Sequence, residues 1–94
     1  MKGIVRSKRI VCEDGFTVSV QASALHYCEP RNDEGPYSAV ELGFPSEEEP
    51  LIVEFADEED NLTETVYGWV PSHVVKKLMA KHGGIMEGQL PHLV

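Results

Sequence analysis

Residues 16–23, Phe-Thr-Val-Ser-Val-Gln-Ala-Ser, constrain the fold more than any other stretch. Phe16, Val18, Val20 and Ala22 alternate strictly with Thr17, Ser19, Gln21 and Ser23, the period of a strand with one face buried. A helix would scatter those apolar positions around its axis. The preceding Glu13-Asp14-Gly15 supplies a turn, so residues 3–27 are expected to form a β-hairpin. A three-residue loop with Gly15 in the left-handed region gives a G1-type bulge. It sets Cys12 opposite Phe16 and Ile10 opposite Val18, apolar against apolar. A two-residue loop would set Ile10 against Ser19, so the first register is preferred.

Further strand patterns follow. Residues 28–36 hold two prolines, a glycine and Asn-Asp, and read as a loop. Residues 37–44 suggest a strand with Val40, Leu42 and Phe44 on one face and Glu41 on the other. Pro45 and Pro50 bracket a turn, because neither can donate to a ladder. Residues 51–58 suggest a strand with Leu51, Val53 and Phe55 facing one way and Ile52, Glu54 and Ala56 the other. Residues 63–70 suggest a last strand, with Thr65, Tyr67 and Trp69 on one face and Glu64, Val66 and Val70 on the other.

Residues 71–84 carry the one helix. Ser72 suits the N-cap. Val74, Val75, Leu78 and His82 form a single stripe, Lys76, Lys77 and Lys81 point outward, and Gly83 suits a left-handed C-cap. Ile85 would pack against the end of that cap. The expected fold is α+β: an antiparallel sheet of about five strands with one C-terminal helix packed on one face. The 94 residues fit a single domain, 1–94.

No apolar run reaches the roughly 18 residues of a membrane span. The N-terminal segment lacks the apolar core of a signal peptide, so a cytoplasmic location is expected. Cys12 and Cys28 are the only cysteines, and reduced buried thiols are expected there. His26 and Cys28 would share a strand face, but two more zinc ligands at the usual spacing are missing. The Asp57–Glu64 segment faintly resembles a calcium loop, yet its sixth position is Leu62 where the EF-hand needs glycine. Ser72 and His73 are neighbours, but Ser72 is better placed as a cap. His82-Gly83-Gly84 follows a helix, where glycine is the usual stop. No catalytic residue, metal or cofactor is therefore expected, and the chain is not read as an enzyme.

Charge is the remaining signal. The net charge is −8, and it is segregated. Lys2, Arg6, Lys8 and Arg9 open the chain without a balancing acid. Residues 29–64 then hold thirteen acids against the single base Arg31. Such a segment repels phosphate, so direct nucleic-acid binding is disfavoured. Crowding like charges within a Debye length of about 8 Å costs stability. A solvated coat that keeps the protein soluble is the bland explanation. The alternative is that carboxylates stand in for phosphates. Alternate strand residues are about 6.6 Å apart, near twice the 3.4 Å rise per phosphate of one DNA strand. The candidate partner-binding residues are Glu41, Glu47, Glu48, Glu49, Glu54, Asp57, Glu58, Glu59 and Asp60.

In size, acidity and sheet-plus-helix architecture the chain resembles small anti-defence proteins of phages and prophages, a likeness of overall profile, and the phrases GPYSAVELGFPSE and TVYGWVPSHVVKKLMAKHGGI resemble phage open reading frames. Among these are anti-CRISPR proteins that imitate DNA and block target recognition by a type I surveillance complex. The resemblance implies a monomeric inhibitor whose partner is the basic DNA-binding groove of a bacterial protein or ribonucleoprotein complex. A different class of function is a phage-type accessory or structural protein that acts by sheet pairing, with Tyr67, Trp69 and an open sheet edge making the contact.

Overall fold

The hairpin forms in the register its apolar residues favour. In the computed structural model, which describes residues 8–94, β1 (Ile10–Cys12) pairs antiparallel with β2 (Thr17–Gln21), and Ile10 lies opposite Val18. The Cys12 N–H donates to the Phe16 carbonyl and the Gly15 N–H to the Cys12 carbonyl, 2.8 and 3.0 Å. Gly15 has φ +95°, where a side chain is strained. Lys2 and Arg6 of the basic strip lie outside the described residues. Arg9 is spent locally: its guanidinium donates to the Thr17 hydroxyl and to the carbonyls of Thr17 and Phe44.

The meander continues through β3 (Ala39–Gly43) and β4 (Val66–Pro71). After α1 (Ser72–Lys81), β5 (Ile85–Glu87) pairs antiparallel with β1. The sheet order is β4-β3-β2-β1-β5, antiparallel throughout. β4 and β5 therefore run parallel at opposite edges, a relation that requires a crossover rather than a hairpin. The helix is that crossover. Ten residues span about 15 Å, a large part of the roughly 19 Å across four strand spacings. Among the described residues no helix is long and apolar enough to cross a membrane.

The core lies between helix and sheet. Ile10, Val18, Val20, Val40, Leu42, Tyr67 and Val70 from the strands meet Val75 and Leu78 from α1, all fully buried. Ser72 is the first residue of the helix rather than its N-cap; Pro71 holds that position and no side chain caps it. The Ser72 N–H instead donates to the Ser38 carbonyl, 2.8 Å. The C-terminus closes as a Schellman motif. The Gly84 N–H reaches the Met79 carbonyl, the Gly83 N–H reaches Ala80, and Gly83 has φ +89°.

Three strand expectations need correction. The fifth strand is not residues 51–58, which form turns and a short 3₁₀ helix at Val53–Phe55. The deeply buried residue there is Ile52, not the Leu51-Val53-Phe55 face. Pro50 offers no donor, and the Leu51 and Ile52 N–H groups are satisfied by the Glu49 carboxylate and carbonyl, a turn in place of a ladder. The fifth strand is β5, beyond the helix. Second, β4 contains a bulge: Val40 opposes Val70 and Leu42 opposes Tyr67, so two residues, Gly68 and Trp69, face Glu41 alone. Tyr67 and Val70 thus share the core face, and Trp69, at φ +49°, is 51 % exposed on the other. Third, Phe44, at φ +50°, turns away from Val40 and Leu42 into solvent.

Candidate functional site

Between β3 and β4 the chain makes a long excursion, residues 44–65, and this segment holds most of the acid. It is anchored at several points. The Ser46 N–H donates to the Thr17 carbonyl, and the Thr17 N–H returns to the Ser46 hydroxyl. Ile52 enters the core. Ala56 forms a bridge with Tyr67, the Asp57 N–H donates to Val66, and the Glu58 N–H to the Thr65 hydroxyl. The Tyr67 hydroxyl donates to the Leu62 carbonyl. Residues 56–58 therefore run along the outer edge of β4 and cover part of it, and the charges that follow sit on a fixed turn.

Glu47, Glu48, Glu54, Asp57, Glu58, Glu59, Asp60 and Glu64 are all exposed on this excursion, which contains no lysine or arginine. They do not form a strand row. Seven of them lie at 47–48, at 57–60 and on the 3₁₀ helix that carries Glu54, and Glu64 lies on the bend that leads into β4. Glu41, in the middle of β3, is half-buried on the outer face of the sheet, where its carboxylate accepts the Tyr27 N–H, 3.0 Å.

Glu49 is the exception among the candidate partner-binding residues: its carboxylate is buried and spent inside the protein. It is 2 % exposed. Its Oε1 accepts from Lys81 Nζ and its Oε2 meets His82 Nε2, both at 2.7 Å. The other ring nitrogen, His82 Nδ1, meets Asp14 Oδ2 at 2.7 Å, and the ring stacks on Phe16 at 4.0 Å. Burial alone would make the His82 imidazole harder to protonate, but the Glu49 and Asp14 carboxylates outweigh it and hold the ring above its ordinary value. For Glu49, burial pushes toward the neutral acid, and the bonds from Lys81 and His82 reverse it, leaving the carboxyl below its usual range. The Phe16 N–H and then His82 lower Asp14 likewise. Both imidazole nitrogens are engaged, so His82 offers no free lone pair to a substrate. Asp14, His82, Glu49 and Lys81 thus tie the β1–β2 turn, the acidic excursion and the end of α1 together. No local pattern marks Glu49 apart from Glu47 and Glu48; its partners lie 32 and 33 residues further on.

The outer face of the sheet carries a second feature that strand alternation hid. The bulge aims Trp69 outward, where it stacks on Tyr27 with ring centroids 5.0 Å apart. Tyr27 is held from both sides, its N–H on Glu41 and its carbonyl accepting the Trp69 N–H at 3.0 Å. Beside the pair lies a groove of about 340 Å³ lined by Tyr27, Phe55, Ala56, Asp57, Val66, Gly68 and Trp69. The isolated Gly68 inside a strand pattern was the readable signal for this bulge.

His26 and Cys28 do not share a strand face, because β2 ends at Gln21 and residues 23–27 are turns. His26 Nδ1 pairs with the Ser23 hydroxyl at 2.7 Å, and the Cys28 thiol donates to the Ser23 carbonyl at 3.1 Å. Among the described residues no three His, Cys, Asp or Glu side chains gather as a metal site. Comparison with protein-family models, curated proteins and solved structures finds no match to this chain.

Proposed function

We propose that this protein is an acidic inhibitor that occupies the basic DNA-binding groove of a bacterial defence complex, in the manner of a DNA-mimicking anti-CRISPR protein acting on a type I surveillance complex. The observation that carries this reading is the 44–65 excursion: eight exposed carboxylates without a resident cation, on a segment anchored to the sheet at both ends. A groove lined with lysine and arginine is built to neutralise closely spaced phosphates. Rigid acids reproduce that charge density without the entropy cost of ordering a disordered tail. Because residues 51–58 are not a strand, the mimicry is one of charge density in two turns and not of a 6.6 Å row. Glu49 is outside the binding set, and Glu64 joins it.

The test is inhibition of duplex binding by a purified type I complex. Wild-type protein is expected to displace labelled target DNA. The folded variant Glu47→Gln/Glu48→Gln/Glu58→Gln/Glu59→Gln is expected to do so at least about tenfold less well, as four lost charge contacts imply. Equal inhibition by this variant would sink the proposal.

A second reading, assembly through a sheet edge, keeps one supporting observation. Tyr67 is fully buried and Ala56 bridges to it at the β4 edge, which removes the contact first expected there. At the opposite edge, however, all three residues of β5 are exposed, Ile85 and Met86 among them. Sedimentation at increasing concentration separates the two: the inhibitor is expected to stay monomeric, and an edge-paired protein would dimerise.

A further inference from the structure

We propose that the groove between Tyr27, Trp69 and Asp57 is a receptor for an arginine side chain projecting from the basic partner surface. This rests on the decoy reading and adds a specific anchor to its diffuse charge. Three observations converge on it.

The aromatic walls are fixed. The β4 bulge spends a positive φ on a tryptophan to aim it outward, and bulges commonly re-aim a side chain in this way. Tyr27 is clamped through both backbone polar groups, so the ring pair is set before any partner arrives. Trp69 and Tyr27 nevertheless remain 51 % and 45 % exposed, with Phe55 beside them.

The groove also has the right charge. Asp57 lines it, with its backbone pinned to Val66 while its carboxylate has no hydrogen-bond or ion-pair partner among the described residues. The chain's own Arg31 lies over the Tyr27 ring, 5.9 Å from its centroid, so this ring already takes a guanidinium. A planar guanidinium can stack flat on an aromatic face while donating in its own plane to a carboxylate, a geometry that an ammonium, a point charge without a plane, does not reproduce. The volume of about 340 Å³ is within the range for seating one side chain or small ligand. The surrounding exposed acids exclude an anionic occupant.

Trp69 is the only tryptophan in the chain, so its fluorescence reports the groove directly. The probe is the peptide acetyl-Gly-Arg-Gly-amide, with the neutral citrulline peptide as control. The arginine peptide is expected to change Trp69 emission saturably, and citrulline to bind at least about fivefold more weakly. Asp57→Asn leaves the backbone anchor in place and is expected to weaken the arginine peptide by a similar factor. The Glu47→Gln/Glu48→Gln/Glu58→Gln/Glu59→Gln variant is expected to weaken it less than Asp57→Asn does, since those acids do not line the groove and act on it only through their field. No saturable response, equal responses to both peptides, or equal losses in Asp57→Asn and the four-acid variant would overturn the receptor. The assay contains no defence complex. Arginine binding by a protein that never displaces DNA would keep the groove and discard the mimicry. Full DNA displacement by Asp57→Asn would do the reverse.

Discussion

His82 shows how a single side chain decides whether a buried acid is a fault or a joint. Glu49 would be costly in the core alone. With His82 charged between two carboxylates and Lys81 completing the set, the four charges cancel. Removing one partner of such a pair costs about 3 kcal/mol or more, whereas replacing both with apolar groups can be nearly neutral. Chemical denaturation is expected to show that loss for His82→Leu. The double variant Glu49→Leu/His82→Leu is expected to recover much of it, a coupling that a double-mutant cycle measures directly. Additive losses would mean that the pair does not act as a unit. The pH dependence has two signs. His82 is raised above its ordinary 6.5, so its contribution is complete below that pH and is lost as pH rises through its folded value. Glu49 lies below its ordinary 4.5, so its contribution is complete above that pH and is lost as pH falls through its folded value. The stability difference between wild type and the double variant is therefore expected to peak between pH 4.5 and 6.5 and to shrink on both sides. A flat difference across pH 4 to 9 would show that the cluster carries no net charge coupling.

At the scale of elements, the ends and turns set the architecture. Gly83 is the clearest case: an added Cβ would stand 2.8 Å from the Glu13 Cβ, at a φ that side chains rarely adopt. Gly83→Ala is expected to cost about 1–3 kcal/mol in thermal or chemical unfolding, because it strains the helix cap and crowds the β1–β2 turn together. A loss below about 0.5 kcal/mol would contradict that close approach. The hairpin was legible because strict alternation and Glu13-Asp14-Gly15 agree, and the helix because its stripe and glycine stop agree. Residues 51–58 were not legible, since Leu-Ile-Val-Glu-Phe suits a strand locally while Pro50 and the Glu49 side chain direct it into a turn. β5 escaped notice because all three of its residues are exposed, so it carries no alternation of burial. Gly68 marks the Trp69 bulge locally, but the stacking of Trp69 on Tyr27 and the burial of Glu49 depend on partners distant in sequence. That is why the exposed acids could be read from composition, but neither the aromatic groove nor the charge cluster could.

For the whole molecule the charge is arranged, not only abundant. The acid of residues 44–65 is gathered on one excursion, anchored to β2 at Ser46 and to β4 at residues 56–58, while Lys76 and Lys77 are exposed on α1. Glu49 is the one acid of that excursion with an ion-pair partner among the described residues. Such separation produces a directed field that salt weakens over about 8 Å at physiological ionic strength. Binding through it is expected to fall steeply with salt, and the four-acid variant is expected to show a shallower slope of log Kd against log salt concentration than wild type. Equal slopes would place the contact elsewhere, with the exposed β5 edge the first alternative. The most direct measurement is capture of bacterial proteins on the tagged protein at moderate salt, with elution by a salt step and, in parallel, by duplex DNA. If the acids act as phosphate surrogates, both elute the same DNA-binding defence complex. A captured complex that salt releases but saturating duplex DNA leaves bound would contradict the decoy.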